Sequence, residues 1–302
     1  MKIGIIGGGA IGLLFASYLG RNHNVVCQTK TVAQANLLKE RPIELILKKD
    51  CIRTEVESCQ ELSEESNMDL VVVAVKQYHL NSIKNTLLQI SQNTPLLFLQ
   101  NGLAHLTFIE ALPHRHIFVG TVEHGAVKLG NISVSHNGIG STSVAVVKGN
   151  EQKLDYLFKD PIPLFPFQLE MSYKTMLVKK LFVNVLINPL TAITNVKNGR
   201  IIENPFLQEI QIQLFEELMY LFPKMNGEIE LDDVKSVCLN TSENHSSMLK
   251  DFEAKRTSEL ETIVGVLISK AQKEGKKIPS IHLLYQLLKG KECEYLKLNG
   301  KL

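Results

Sequence analysis

The sequence predicts two architectures in series, an α/β domain over residues 1–170 and an all-α domain over residues 171–302. Three observations predict this. The chain opens with a short apolar run that ends in a glycine-rich turn and continues into an amphipathic segment. Apolar runs of strand length then alternate with helical patterns. From about residue 170 onward the apolar spacing stays near 3 to 4 residues, the period of an α-helix.

The first unit is IGIIGGGAIGLLFASYLGRNHNVVCQTKT, residues 3–31. Its order is strand, tight turn, helix from Ile11 to Leu19, and second strand from Val25 to Cys27. The three glycines of the GxGxxG spacing serve different ends. Gly7 permits the turn, Gly9 lets backbone approach a pyrophosphate, and Gly12 allows close helix–strand packing. Ala10 and Ile11 open a helix whose first N–H groups are free to face an anion. This is a Rossmann-type dinucleotide site. An NAD-preferring site carries an acid after the second strand, but Val25 to Thr31 has none, and the first acid in the chain is Glu40. Thr29 and Lys30 stand there instead, which suits a 2′-phosphate and makes NADPH the expected cofactor, with Lys30 as the phosphate partner.

Further strands are expected at Leu70–Val75, an unbroken β-branched run suited to a sheet buried on both faces, and at Leu96–Leu99 and Ile117–Gly120. Helical patterns fall between them at Leu80–Ile90 and Leu103–Leu112. Alternation from Val134 to Val147 about Asn137-Gly138 predicts a hairpin at the sheet edge. The second domain should hold helices over Met176–Ile187, Leu207–Phe222, Leu231–Val237, Glu261–Lys273 and Leu283–Leu288.

A formal charge of +2 and 44% hydrophobic residues describe an ordinary globular protein. The basic pairs in LVKKL and EGKKI are isolated, so no nucleic-acid partner is expected. Five scattered cysteines without CxxC spacing indicate neither a disulfide framework nor a metal site, and fit a reducing cytoplasm. Lys2 and the apolar stretch to Leu19 could be scored as a signal peptide, but three consecutive glycines placed for a nucleotide turn argue against it. Lys, Asn or Pro interrupts every long apolar run, so no membrane span is expected.

Lys180, Asn184 and Asn188 are spaced i, i+4, i+8 in KKLFVNVLINPL, each rotated about 40° from the last, so one helix presents an ammonium and two amides along one stripe. Two readings remain open on spacing alone: a binding stripe, or polar groups that cap and kink a bundle helix near Pro189. A second cluster is TSENHSSML, residues 241–249, followed by Arg256-Thr257-Ser258-Glu259. Glu259 would lie about 120° from the face of Ser247 on one unbroken helix, so a break near Arg256–Ser258 is required if the two converge. His245 is expected to play a local structural part. Lys76 and Asn101-Gly102 follow strands, where ligands of open α/β sheets bind.

The segments GGGAIG, VKQ, FLQNG, KLFVNVLINPLTA, VKNG and ENHSSMLKD…RTSELE together make the chain resemble the ketopantoate reductase (2-dehydropantoate 2-reductase) family over essentially its full length. The resemblance implies a C-terminal bundle of the 6-phosphogluconate-dehydrogenase type. It also implies NADPH on the N-terminal domain, ketopantoate as substrate, and hydride transfer to its C2 carbonyl. It assigns the general acid to Lys180 and an active-site carboxylate to Glu259. Substrate contacts fall on Asn184, Asn188, Asn198, Asn244 and Ser247, and positions beside the cofactor on Lys76 and Asn101. The family's usual 2′-phosphate arginine is Lys30 here, which keeps the charge but loses the bidentate fork. Alternatives are a reductase of other branched 2-oxo acids, or an NADPH-binding redox sensor, for which Lys180 and Glu259 would be unnecessary. A homodimer is a further expectation.

Overall fold

The computed structural model describes residues 1–48, 50–63 and 66–298. The chain divides into two compact units, one of residues 1–100 and 105–176, the other of residues 101–104 and 177–302.

In the first unit the strands are β1 (Lys2–Ile6), β2 (Asn24–Gln28), β3 (Ile43–Leu47), β4 (Asp50–Thr54), β5 (Glu57–Cys59), β6 (Leu70–Val73), β7 (Leu96–Phe98), β8 (Ile117–Val122), β9 (Gly125–Lys128), β10 (Ser133–Gly138), β11 (Thr142–Lys148) and β12 (Phe167–Glu170). The helices are α1 (Ala10–Leu19), α2 (Val32–Glu40), α3 (Lys84–Gln89), α4 (Leu106–Glu110) and α5 (Asp155–Lys159). Eight strands form one sheet in the order β12-β11-β8-β7-β6-β1-β2-β5. It is parallel from β8 to β5, and β11 runs antiparallel to β8. The chain builds outward from β1 through β2 to β5, then crosses to the other side of β1 with β6, so the order reverses between β1 and β6. That is where ligands of such sheets bind.

Burial on both faces explains the central strands: Leu70, Val71, Val72 and Val73 are all fully buried. A second sheet, β4-β3-β10-β9, packs on α1. This corrects the expected hairpin. β10 pairs with β3 and β9 in the small sheet, while β11 pairs with β8 and β12 in the large one, and residues 139–141 pass between them. Val134 and Val144 are both fully buried, so the alternation is real. Alternation reports which face is buried and carries no information about which strand is the partner. The segment Leu80–Ile90 opens with a 3₁₀ turn, Asn81–Ile83, preceded by another at Gln77–His79, and becomes α-helical only at Lys84.

Buried imidazoles mark this unit. His105 has no exposed surface, and burial pushes its pKa down to about 4. His124 is lowered to about 4 by burial and then by neighbouring His136. Both rings are therefore neutral in the folded chain at pH 7.

The second unit contains α6 (Tyr173–Thr194, entered from the first unit), α7 (Arg200–Glu203), α8 (Pro205–Leu221), α9 (Leu231–Asn240), α10 (Ser247–Glu253), α11 (Val266–Lys273) and α12 (Pro279–Leu298). A π-helical turn, Glu261–Gly265, leads into α11. By length and a mean hydropathy of 1.5, α6 could cross a membrane, contrary to the sequence expectation, but 78% of that window is buried inside the protein. It is the central helix of a bundle: Leu181, Phe182, Val185, Leu186 and Leu190 are nearly inaccessible and pack with α8, α9, α11 and α12 residues in one core. Pro189 lies inside it, and Thr191 and Thr194 hydroxyls donate to carbonyls of the preceding turn, Ile187, Asn188 and Leu190.

Candidate functional site

In the first unit the candidate site is made of backbone. Gly7 turns the chain at φ +119°, and its N–H donates to the Gln28 carbonyl at 2.9 Å. A Cβ on Gly12 would overlap the Gly7 carbonyl oxygen, so helix and turn approach closely only without a side chain there. Gly9 caps α1 with no side-chain hydrogen bond, and a Cβ on it would meet nothing within 4 Å. The first-turn N–H groups of Ala10, Ile11 and Gly12 therefore adjoin open space at a helix N-terminus. Such a cradle fits a pyrophosphate.

Two props of this turn were not legible in the sequence. Gln34, on α2, donates its side-chain amide to the Gly8 carbonyl at 2.9 Å and to the Asn131 carbonyl at 2.7 Å. Lys128, on β9, donates Nζ to the same Gly8 oxygen at 2.8 Å. They come from elements far along the chain, so no local motif announces them.

Lys30 is exposed just past β2, where Thr29 Oγ1 donates to the Thr31 carbonyl at 3.2 Å and Thr31 caps α2. Lys76 is half-buried just past β6. Both lie near His79, whose pKa is lowered first by burial and then by the charges of Lys30 and Lys76. Two ammonium groups thus follow the strands that flank β1, β2 and β6, with no acid between Val25 and Thr31. That electrostatic setting suits a phosphate.

In the second unit the candidate site is made of side chains. Lys180 is half-buried, while Asn184 and Asn188 are 8% and 7% exposed in the apolar setting of α6. Asn188 Nδ2 lies 3.5 Å from Asn184 Oδ1 and 3.4 Å from Ser247 Oγ, the first residue of α10. One turn on, Thr191 Oγ1 donates to Ser246 Oγ at 2.7 Å, and Ser246 caps α10 by accepting from the Leu249 N–H. Thr191, assigned no role from the sequence, and Ser246, part of the TSENHSSML cluster, thereby hold α10 against the stripe.

Asn198 joins the same region through backbone: its N–H donates to the Asn244 carbonyl at 3.0 Å, and its side-chain amide to Thr241 Oγ1 at 2.9 Å. Its Oδ1 is buried without a donor among the described residues. The Asn244 and Ser247 side chains are exposed. His245 Nδ1 pairs with Glu253 at 3.1 Å, the local structural part expected of it.

The required break occurs. α10 ends at Glu253, residues 254–259 are non-helical, and helix resumes at Leu260. Glu259 lies at the end of the break, and its Oε2 accepts a hydrogen bond from Asn101 Nδ2 at 2.9 Å. Gly102, at φ +78°, sets its backbone against the Thr262 carbonyl so closely that a Cβ would overlap that oxygen. The Asn101-Gly102 loop, placed by the sequence beside the cofactor, thus belongs by contact to the helical unit and orients Glu259. Among the described residues no group of three or more His, Cys, Asp or Glu is placed to hold a metal ion.

Two family models match the chain: ketopantoate reductase PanE/ApbA over residues 3–149, and ketopantoate reductase PanE/ApbA C terminal over residues 172–292. The chain belongs to the ketopantoate reductase family. Among curated relatives, the 2-dehydropantoate 2-reductase of Bacillus subtilis (strain 168) is 36% identical over 294 residues, covering 97% of this chain and 98% of that one. The crystal structure of a probable 2-dehydropantoate 2-reductase from Bacillus subtilis superposes with a TM-score of 0.87 at 34% identity, covering 96% of this chain and all of that one. A ternary structure of D-mandelate dehydrogenase with NADH and anilino(oxo)acetate shares the fold, with a TM-score of 0.86 at 21% identity and coverage of 98% and 99%. In this ketopantoate reductase family member, the second unit carries the stripe and the first carries the glycine turn.

Proposed function

We propose that the chain catalyses NADPH-dependent reduction of ketopantoate to pantoate. The observation that carries the reading is the polar stripe of α6, two nearly buried amides and a lysine among apolar core side chains, with Ser247 hydrogen-bonded to it. Burying amides without partners costs free energy, so such a stripe suits a polar ligand that completes their hydrogen bonds.

When bound, the nicotinamide cofactor would supply the hydride that C2 of the ketone accepts. As the carbonyl π pair moves onto oxygen, the Lys180 ammonium stabilises the developing charge and delivers the proton, giving the alcohol. Glu259, oriented by Asn101, balances and positions that ammonium. Asn184, Asn188 and Asn198 serve the hydroxyl end of the substrate, and Ser247 and Asn244 donate to its carboxylate. Gly7, Gly9, Ala10, Ile11 and Gly12 hold the pyrophosphate, while Lys30 and Lys76 provide the positive charge that a 2′-phosphate needs and a 2′-hydroxyl does not.

The test compares ketopantoate with its 4-deoxy analogue by following NADPH oxidation. A site that hydrogen-bonds the C4 hydroxyl should favour ketopantoate by more than about a hundredfold in kcat/KM, and Asn184→Ala should erase the margin. Comparable kcat/KM for the two substrates in the unmutated enzyme would replace this reading with a broader 2-oxo-acid reductase.

A further inference from the structure

Glu292 is a carboxylate on α12 that is only 3% exposed, and the reaction as proposed does not use it. Buried carboxylates need specific compensation. Its Oε1 accepts both the backbone N–H and the hydroxyl of Ser258, each at 2.9 Å. Its Oε2 lies 3.3 Å from Lys289 Nζ, which also pairs with Glu261 at 2.8 Å. Burial alone would lower the Lys289 pKa, but hydrogen bonds and charges from Glu261 and Glu292 outweigh it and keep the lysine protonated.

These bonds meet at the helix break. Ser258 immediately precedes Glu259, and its Oγ also accepts from the Leu260 N–H at 3.3 Å, so the peptide is held on both sides of Glu259. Thr262 Oγ1 donates to the Glu259 carbonyl at 2.9 Å, and Tyr295, also on α12, donates its hydroxyl to the Arg256 carbonyl at 2.7 Å. Non-helical residues free to take many φ/ψ values are thereby fixed, which restricts where the Glu259 carboxylate can point.

We infer that Glu292 is a positioning residue for the reaction: acting through Ser258, it locks the helix break so that Glu259 is presented in one orientation, with Asn101 fixing the carboxylate from the other side. Glu292 touches neither substrate nor cofactor in this scheme. The inference rests on Glu259 belonging to the active site.

A double-mutant cycle in the full-length enzyme tests it, using Glu292→Gln and Glu259→Gln. Ser258→Ala, which removes the hydroxyl hydrogen bond to Glu292 and keeps the backbone one, is the second variant if Glu292→Gln does not fold. Either substitution should lower kcat/KM for ketopantoate by about tenfold or more while the NADPH dissociation constant stays within about twofold. In the Glu259→Gln background the same substitution should cost less than about twofold more, because the group it positions is already gone. Independent, multiplicative losses, or an NADPH affinity that falls as far as kcat/KM, would overturn the positioning role and leave Glu292 as a stability residue. Near-normal turnover by the Glu259→Gln single variant would instead overturn the active-site reading of Glu259, and with it the function assigned to Glu292.

Discussion

The glycine turn and the polar stripe put opposite parts of the chain to use. In the proposed reading the first unit works through N–H donors at the start of α1 with the Lys30 and Lys76 ammonium groups nearby, and the turn itself leaves no room for a side chain at Gly12 against the Gly7 carbonyl. In the second unit the proposed site is built from side chains of α6, α10, the break before Leu260 and the Asn101 loop, joined by hydrogen bonds such as Asn188–Ser247 and Asn101–Glu259. A backbone-built site is compact in sequence, and at Gly12 it leaves no room for an added Cβ. A site built from side chains is dispersed, and its geometry depends on the elements that hold each residue.

The largest effect expected from breaking the first arrangement comes from Gly12→Ala. The new methyl must displace the Gly7 turn, so NADPH affinity should fall by at least about a hundredfold, about 3 kcal/mol, as measured by fluorescence titration. An affinity within about threefold of the parent would mean that the turn can shift freely and is not a fitted cradle. The matching test in the second unit is Gly102→Ala, where φ is +78° and a Cβ would strike the Thr262 carbonyl. Freed from that contact, Asn101 would no longer hold Glu259, and kcat should fall by about ten- to a hundredfold with cofactor affinity little changed. Equal losses in both quantities would show that the loop serves the cofactor directly.

These contrasts also decide what could be read before the structure was known. GxGxxG between two apolar runs was legible because its glycines answer to local geometry, and α6 was legible because its apolar period is local too. The contacts of Asn101 and Lys128 were not. Asn101 reads as part of a loop after a strand, and only folding places it against Glu259, 158 residues later. Likewise β10 and β11 alternate as a hairpin would, yet they belong to different sheets, because alternation marks the buried face and leaves the partner strand unspecified.

A further effect is a pH dependence rooted in the first unit. In the first unit burial holds His105 near a pKa of about 4, whereas an unfolded histidine titrates near about 6.5. The unfolded chain binds the proton first, so stability is lost as pH falls from about 6.5 toward 4. His105 should account for about 2 kcal/mol between pH 7 and about pH 5, with His124 acting in the same direction. Urea melts at the two pH values should show the loss, and His105→Gln should shrink it. An unchanged slope in that variant would assign the acid sensitivity elsewhere.

The smallest stability effect is expected at Gly9, where a Cβ meets open space. Gly9→Ala should change the unfolding free energy by less than about 1 kcal/mol. Its NADPH affinity should nevertheless drop severalfold, because the methyl occupies the room reserved for phosphate. A loss of stability without a loss of affinity would reverse the role given to that space.

The division of labour itself is tested most directly by measuring NADPH dissociation constants and saturated kcat side by side for Lys30→Ala and Lys180→Ala. Lys30→Ala should weaken NADPH about ten- to a hundredfold, spare NADH, and leave kcat at saturating cofactor nearly intact. Lys180→Ala should lower kcat at least about a hundredfold and leave NADPH affinity within a few-fold. If each substitution instead lowered both quantities alike, or if Lys180→Ala turned over ketopantoate at close to the parent rate, binding and chemistry would not be divided between the glycine-turn unit and the helical unit.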